Sequence, residues 1–296
     1  MTIKIKKVVK NSIIKSKIKP VRKTNIITKP KINQKINLVI FHSEGPPHDN
    51  GLKINNLQPL FNIAKTHVNN IEVYTPRKLK SMGYEKYVQE YPNTGLVKCN
   101  PGMKNIGFCA WRPLIIKLEL DKMKEGDILV YRDCNIHKYK GLLNYNNFSD
   151  ICLKFLKICN FDFCILREKE HLPLKYHCKT NIIRELGNNE NFYYEFPLLI
   201  SNFIIIRKSK ISEELNNEWL KYCEIKEYID GEIYGELYKD FRWSTPEQSI
   251  LSIIIASWIK NRKHNIPLNY PNILSNRSFN FDKIIHPKNF SYLKYL

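Results

Sequence analysis

The chain has 296 residues, 43% of them hydrophobic and 12% aromatic, which is enough for a full packed core and excludes a disordered protein. Its formal charge of +20 points first to an anionic partner such as nucleic acid or a membrane surface. Residues 1–36 hold twelve Lys or Arg and no Asp or Glu, however, so only +8 belongs to the remainder. This composition predicts a basic flexible arm over 1–36, suited to weak contact with a polyanion or membrane surface, and a single domain over 37–296. Part of the remaining excess matches the Lys-, Asn- and Ile-rich coding of AT-rich genomes, and a body charge of this size suits an anionic ligand such as a sugar diphosphate. The eight cysteines are scattered, with no CxxC pair, which excludes a zinc ribbon and gives no disulfide framework. No apolar run approaches a transmembrane span, and Lys interrupts the N-terminal apolar residues too often for a secretory segment. A soluble cytoplasmic protein is the expectation.

In chain order, the first element is a buried strand in KINLVIFHSEG, whose apolar run ends at His42 and Ser43 before a Gly-Pro-Pro turn. Such a strand opening into a turn-rich loop is how α/β folds form a ligand crevice. Asn55 to Val68 reads as a helix, 71–76 as a short strand and Arg77 to Tyr87 as a second helix. The βαβ rhythm predicts an α/β fold with a mostly parallel central sheet flanked by helices. Residues 92–107, rich in Pro, Asn and Gly, read as a mobile loop over a site. A helix over 111–123 precedes a strong strand in GDILVYRDCN, and a helix over Phe148 to Cys159 precedes another in FDFCILRE. Asn181 to Leu186 is helical, and FPLLISNFIIIRKS holds the most β-rich stretch. Ser212 to Glu224 is a helix opened by a serine–glutamate capping signal, and Pro246 to Lys260 is a strongly apolar helix.

The strand in GDILVYRDCN delivers Asp133 and Asn135 two residues apart, where both side chains face one side as the strand ends. Two oxygen donors at that spacing can hold Mn²⁺ or Mg²⁺ against a diphosphate; the same pattern also serves as a turn cap. The segment GFCAWRPLIIKLELDKMKEGDILVYRDCN, residues 107–135, resembles the core of metal-dependent glycosyltransferases of the GT-A fold, which is Rossmann-like. It looks most like the retaining galactosyltransferase, glycogenin-like and mannosyltransferase groups. Their aromatic-Asp-x-Asp element falls here on Tyr131, Asp133 and Asn135, with Asn in place of the second Asp. In STPEQSILSIII, Glu247 and Gln248 stand where these enzymes carry an Asp-Gln pair that recognises sugar hydroxyls, although a helix cap has the same appearance. In FDKIIHPKNF, His286 matches a third metal ligand and Lys288 a phosphate contact.

The resemblance implies a sugar transferred from a nucleotide-diphosphate sugar, a UDP-sugar by preference, to a hydroxyl of a glycan or protein acceptor, with Mn²⁺ or Mg²⁺ as cofactor. Phe41, His42 and Ser43 would then meet the nucleotide, with Tyr131 beside them, and Arg112 and Lys117 would supply phosphate contacts. An inverting mechanism would need a base such as Glu170 or Glu247, whereas a retaining one needs none. Residues 167–179, with His171 and His177, read equally as an acceptor-facing loop or a solvated one. A different class of reading remains beside this one, a non-catalytic protein with a degenerate transferase fold that holds a polyanion or membrane surface. A nucleotidyltransferase is disfavoured because the chain has neither a clear second carboxylate nor a Gly-rich phosphate loop.

Overall fold

The computed structural model describes residues 34–43, 57–92, 96–97, 105–133, 148–159, 161–168, 173–261, 263 and 272–273. Six strands form the main sheet: β1 (Ile36–Phe41), β2 (Asn70–Tyr74), β5 (Ile128–Asp133), β6 (Phe163–Glu168), β7 (Leu199–Arg207) and β8 (Asn272–Ile273). A separate antiparallel pair, β3 (Glu90–Tyr91) and β4 (Asn105–Ile106), stands apart from it. The helices are α1 (Leu57–Ala64), α2 (Pro76–Ser81), α3 (Trp111–Leu120), α4 (Phe148–Cys159), α5 (Thr180–Leu186), α6 (Asn191–Glu195), α7 (Lys210–Cys223), α8 (Lys226–Ile229) and α9 (Pro246–Lys260).

The strand order is β2-β1-β5-β7-β6-β8. β1 runs parallel to β2 and β5, while β7 is antiparallel to both β5 and β6, and β6 is parallel to β8. The fold is therefore α/β with a mixed sheet, parallel on the β2-β1-β5 side. The reversed direction of β7 was hidden from sequence reasoning: its residues are buried almost throughout, and a continuous apolar run fits a central strand of either direction.

The core is built on the inner strands. Leu38, Val39, Ile40, Leu129, Val130, Tyr131, Ile204, Ile205 and Ile206 are fully buried. Helix α3 packs on β1, β5 and α7, and α9 packs on β7 and α7. Buried on nearly every side, α9 shows an apolar sequence rather than a stripe. Pro246 occupies its first turn, where the missing N–H costs no hydrogen bond.

Several element boundaries differ from expectation, and part of the segment 92–107 lies outside the described residues. The second helix stops at Ser81, because Gly83 takes φ +84° and a short 3-10 turn over Glu85–Val88 follows. Helix α7 begins earlier than the sequence reading: Ser209 is the N-cap, and Ser212 is its reciprocal partner in a capping box. The segment 92–107 is held at several described points, since Asn105–Ile106 pairs with Glu90–Tyr91 and Val97 bridges to Ser244.

Of the described cysteines, Cys152, Cys159, Cys164, Cys178 and Cys223 are buried free thiols and Cys109 is a partly buried one, as expected of small apolar core residues. Among the described residues no helix is long and apolar enough to cross a membrane.

Candidate functional site

The chain leaves β1 for β2 on one side and later places β5 on the other side of β1, so connections diverge between β1 and β5. In open α/β sheets that divergence opens a crevice at the carboxyl ends of the two strands. Phe41 and Asp133 are register partners at those ends. β7 starts beside them because it runs the opposite way, which brings Ser201 to the same edge.

Arg112, the second residue of α3, is the hub. Its side chain is only 6% exposed and forms ion pairs with Glu247, at the start of α9, and with Asp133 Oδ1 at 3.3 Å. It also donates to Ser201 Oγ at 2.8 Å. Ser201 Oγ in turn donates to Glu247 Oε1 at 2.6 Å, and the Ser201 backbone N–H donates to Gln248 Oε1 at 3.1 Å. Tyr131, fully buried, donates its hydroxyl to Asp133 Oδ1 at 2.5 Å. Trp219 secures the start of α9 through an indole N–H bond to the Glu247 carbonyl at 2.8 Å. Five elements thus fix one guanidinium and two carboxylates, and of these three groups only Asp133, with its side chain 35% exposed, reaches the surface.

The electrostatics follow from burial. Burial by itself would lower the Arg112 pKa, but the acidic groups beside it, the Asp133 carboxylate among them, prevail and hold it above its ordinary value, so the side chain stays charged. Burial, opposed by Arg112, holds the Tyr131 phenol well above its ordinary range, which makes it a neutral donor to Asp133. One guanidinium against two carboxylates leaves one net negative charge, and its exposed end is Asp133.

The approach to Arg112 is built from unusual backbone. Gly107, Phe108 and Cys109 all adopt positive φ, at 53°, 46° and 64°, immediately before α3. For Phe108 and Cys109 that conformation costs energy, which surrounding contacts must offset. Trp111 supplies two of them, stacking on Phe41 with ring centroids 3.7 Å apart and donating its indole N–H to the Ile106 carbonyl at 3.1 Å.

The expected site residues fall into four groups. Arg112, Tyr131, Asp133, Glu247 and Gln248 come together as described. Phe41 and His42 sit at the same edge with buried side chains, Phe41 against Trp111, and Ser43 is partly exposed. Lys117 is not brought in: it lies on an exposed part of α3 and pairs with Asp121 at 2.7 Å. Asn135, Glu170, His171, His286, Lys288 and residues 1–33 of the basic arm lie outside the described residues. His177 is buried against Trp243, ring centroids 4.8 Å apart, and does not face solvent as an acceptor-facing loop would require. Sequence reasoning missed Ser201 and Trp219; both act across long separations, and nothing local to either residue signals it.

Among the described residues no group of three or more His, Cys, Asp or Glu could hold a metal ion. Asp133 is a hard oxygen donor in a group with net negative charge. That fits Mg²⁺ or Mn²⁺, which commonly keeps several waters and takes one or two protein carboxylates together with substrate phosphates. Comparison with known proteins gave no matching family model and no matching curated protein.

Proposed function

We propose that the chain is a glycosyltransferase of the GT-A type that binds a nucleotide-diphosphate sugar, by preference a UDP-sugar, at the carboxyl edge of β1 and β5. The observation that supports this most is the partly exposed Asp133 carboxylate at the strand divergence, held in place by a buried, permanently charged Arg112. A diphosphate approaching a net negative site needs a cation between the two, so the reading includes a divalent metal on Asp133, with Asn135 and His286 as the further ligands that the sequence suggests. Bound there, the metal would neutralise the charge that grows on the departing diphosphate.

The protein's own contribution is orientation. Tyr131 and Arg112 both engage Asp133 Oδ1, so the carboxylate meets its ligand already fixed and with little reorganisation. Glu247 is buried and committed to Arg112 and Ser201, so in this reading it positions the guanidinium and takes no proton from the acceptor. The other candidate base, Glu170, lies outside the described residues, so the retaining mode rests on the resemblance alone.

The test is release of UDP or GDP from a panel of UDP- and GDP-sugars, with Mn²⁺ and with chelator. Metal-dependent release from one donor class is expected. No release from any donor, combined with polyanion binding that disappears when residues 1–33 are deleted, would replace the transferase reading with the non-catalytic one.

A further inference from the structure

A second concave site lies outside the Asp133 group. A pocket of about 460 Å³ opens between the α5–α6 region and the segment 236–239. Its wall carries two half-buried tyrosines, Tyr194 and Tyr238, with ring centroids 6.0 Å apart and planes tilted by 39°. Around them stand the amides of Asn189 and Asn191 and the charged groups of Arg184, Glu236 and Lys239. Among the described residues, those three charged side chains form no ion pair, so they remain available to a ligand.

Two features make this a built pocket. Asn188 and Asn189 adopt left-handed backbone at φ 51° and 57°, a conformation Asn tolerates better than most residues, and the turn presents Asn189 beside Tyr194. The Tyr194 hydroxyl donates to Asn189 Oδ1 at 2.7 Å, which fixes the amide and directs its N–H groups elsewhere. Ahead of the segment 236–239, the wholly buried Lys179 donates to the Asp230 carboxylate at 3.0 Å and to the Glu227 and Glu232 carbonyls at 2.5 and 3.3 Å. That clamp pins the segment leading into 236–239.

We propose that this pocket binds a saccharide. A sugar ring offers an apolar C–H face, which suits a partly exposed tyrosine, and a rim of hydroxyls that both donate and accept, which suits amides, a carboxylate and a guanidinium. The tilt between Tyr194 and Tyr238 leaves no parallel slot for a flat nucleobase. A chain of contacts runs from the pocket to the start of α9. Tyr238 neighbours Tyr176 at 6.5 Å, Tyr176 neighbours His177 at 6.5 Å, and the His177 carbonyl accepts from the Thr245 N–H and the Ser249 hydroxyl at the start of α9. Where the saccharide is the transferase's acceptor, the inference rests on the proposed function; binding of the sugar does not.

The test is binding of the full chain to an array of chemically defined oligosaccharides, neutral and acidic, with Tyr238→Ala and Arg184→Ala as pocket variants and Asp133→Ala as the control. Circular dichroism would establish that each variant is folded. The expected result is saccharide binding that weakens about tenfold or more in Tyr238→Ala, also falls in Arg184→Ala, and is unchanged in Asp133→Ala. Arg184 is exposed, so its variant tests the pocket even if Tyr238→Ala does not fold. Binding to no saccharide, or binding indifferent to both pocket variants, would overturn the inference while leaving nucleotide binding at Asp133 to be judged separately. Saccharide binding without nucleotide binding would keep the pocket and remove the transferase reading.

Discussion

Arg112 carries more of the site than any other side chain, because two carboxylates depend on it in a place from which water is largely excluded. Removing one partner of a buried ion pair strands the other, at a cost of about 3–5 kcal/mol. Arg112→Met is therefore expected to lower unfolding stability by that order in chemical denaturation. The double variant Arg112→Met with Glu247→Leu should recover a large part of it, since the stranded carboxylate is gone. Equal losses in the single and double variants would show that Glu247 does not depend on Arg112. The sequence marked Arg112, Asp133 and Glu247 as site residues through local pattern and resemblance. It could not join them, because 135 positions separate Arg112 from Glu247 and 89 separate it from Ser201. The pairing is a product of the sheet order and not of any segment.

At the scale of elements, the site depends on how α3 begins. Gly107 has φ +53°, and a Cβ on it would fall 1.8 Å from the Tyr87 carbonyl oxygen, which is backbone and cannot swing aside. Gly107→Ala combines left-handed strain with a backbone clash, and a loss of at least about 2 kcal/mol in unfolding stability is expected. A variant as stable as the parent would mean that the turn before α3 relaxes freely. The strands and longer helices were legible because their apolar runs are long: β1, β5, α4 and α9 lie where the pattern put them. The turn over Gly107–Cys109 was not legible, since Phe and Cys rarely adopt positive φ and only tertiary contact holds them there. The Ser209 cap was missed for a smaller reason: Ser212, three residues on, carries the same side chain beside Glu213, and only the backbone shows that Ser209 leads.

At the scale of the molecule, alternating strands and helices made an α/β fold readable, but not the reversal of β7. That reversal matters, because it turns the first residues of β7 toward the carboxyl ends of β1 and β5 and so supplies Ser201 to the site. Strand divergence with a fixed carboxylate at its edge makes the carboxyl ends of β1 and β5 the place where a ligand is expected. On the proposed function, Asp133 is the anchor for a nucleotide diphosphate through a divalent metal. Calorimetric titration of UDP and then GDP, with Mn²⁺ and with chelator, on the parent chain and on Asp133→Ala, tests it most directly. Metal-dependent binding of one nucleotide, lost in Asp133→Ala, is expected. Binding of neither nucleotide under any metal condition, or equal binding by the variant, would contradict it.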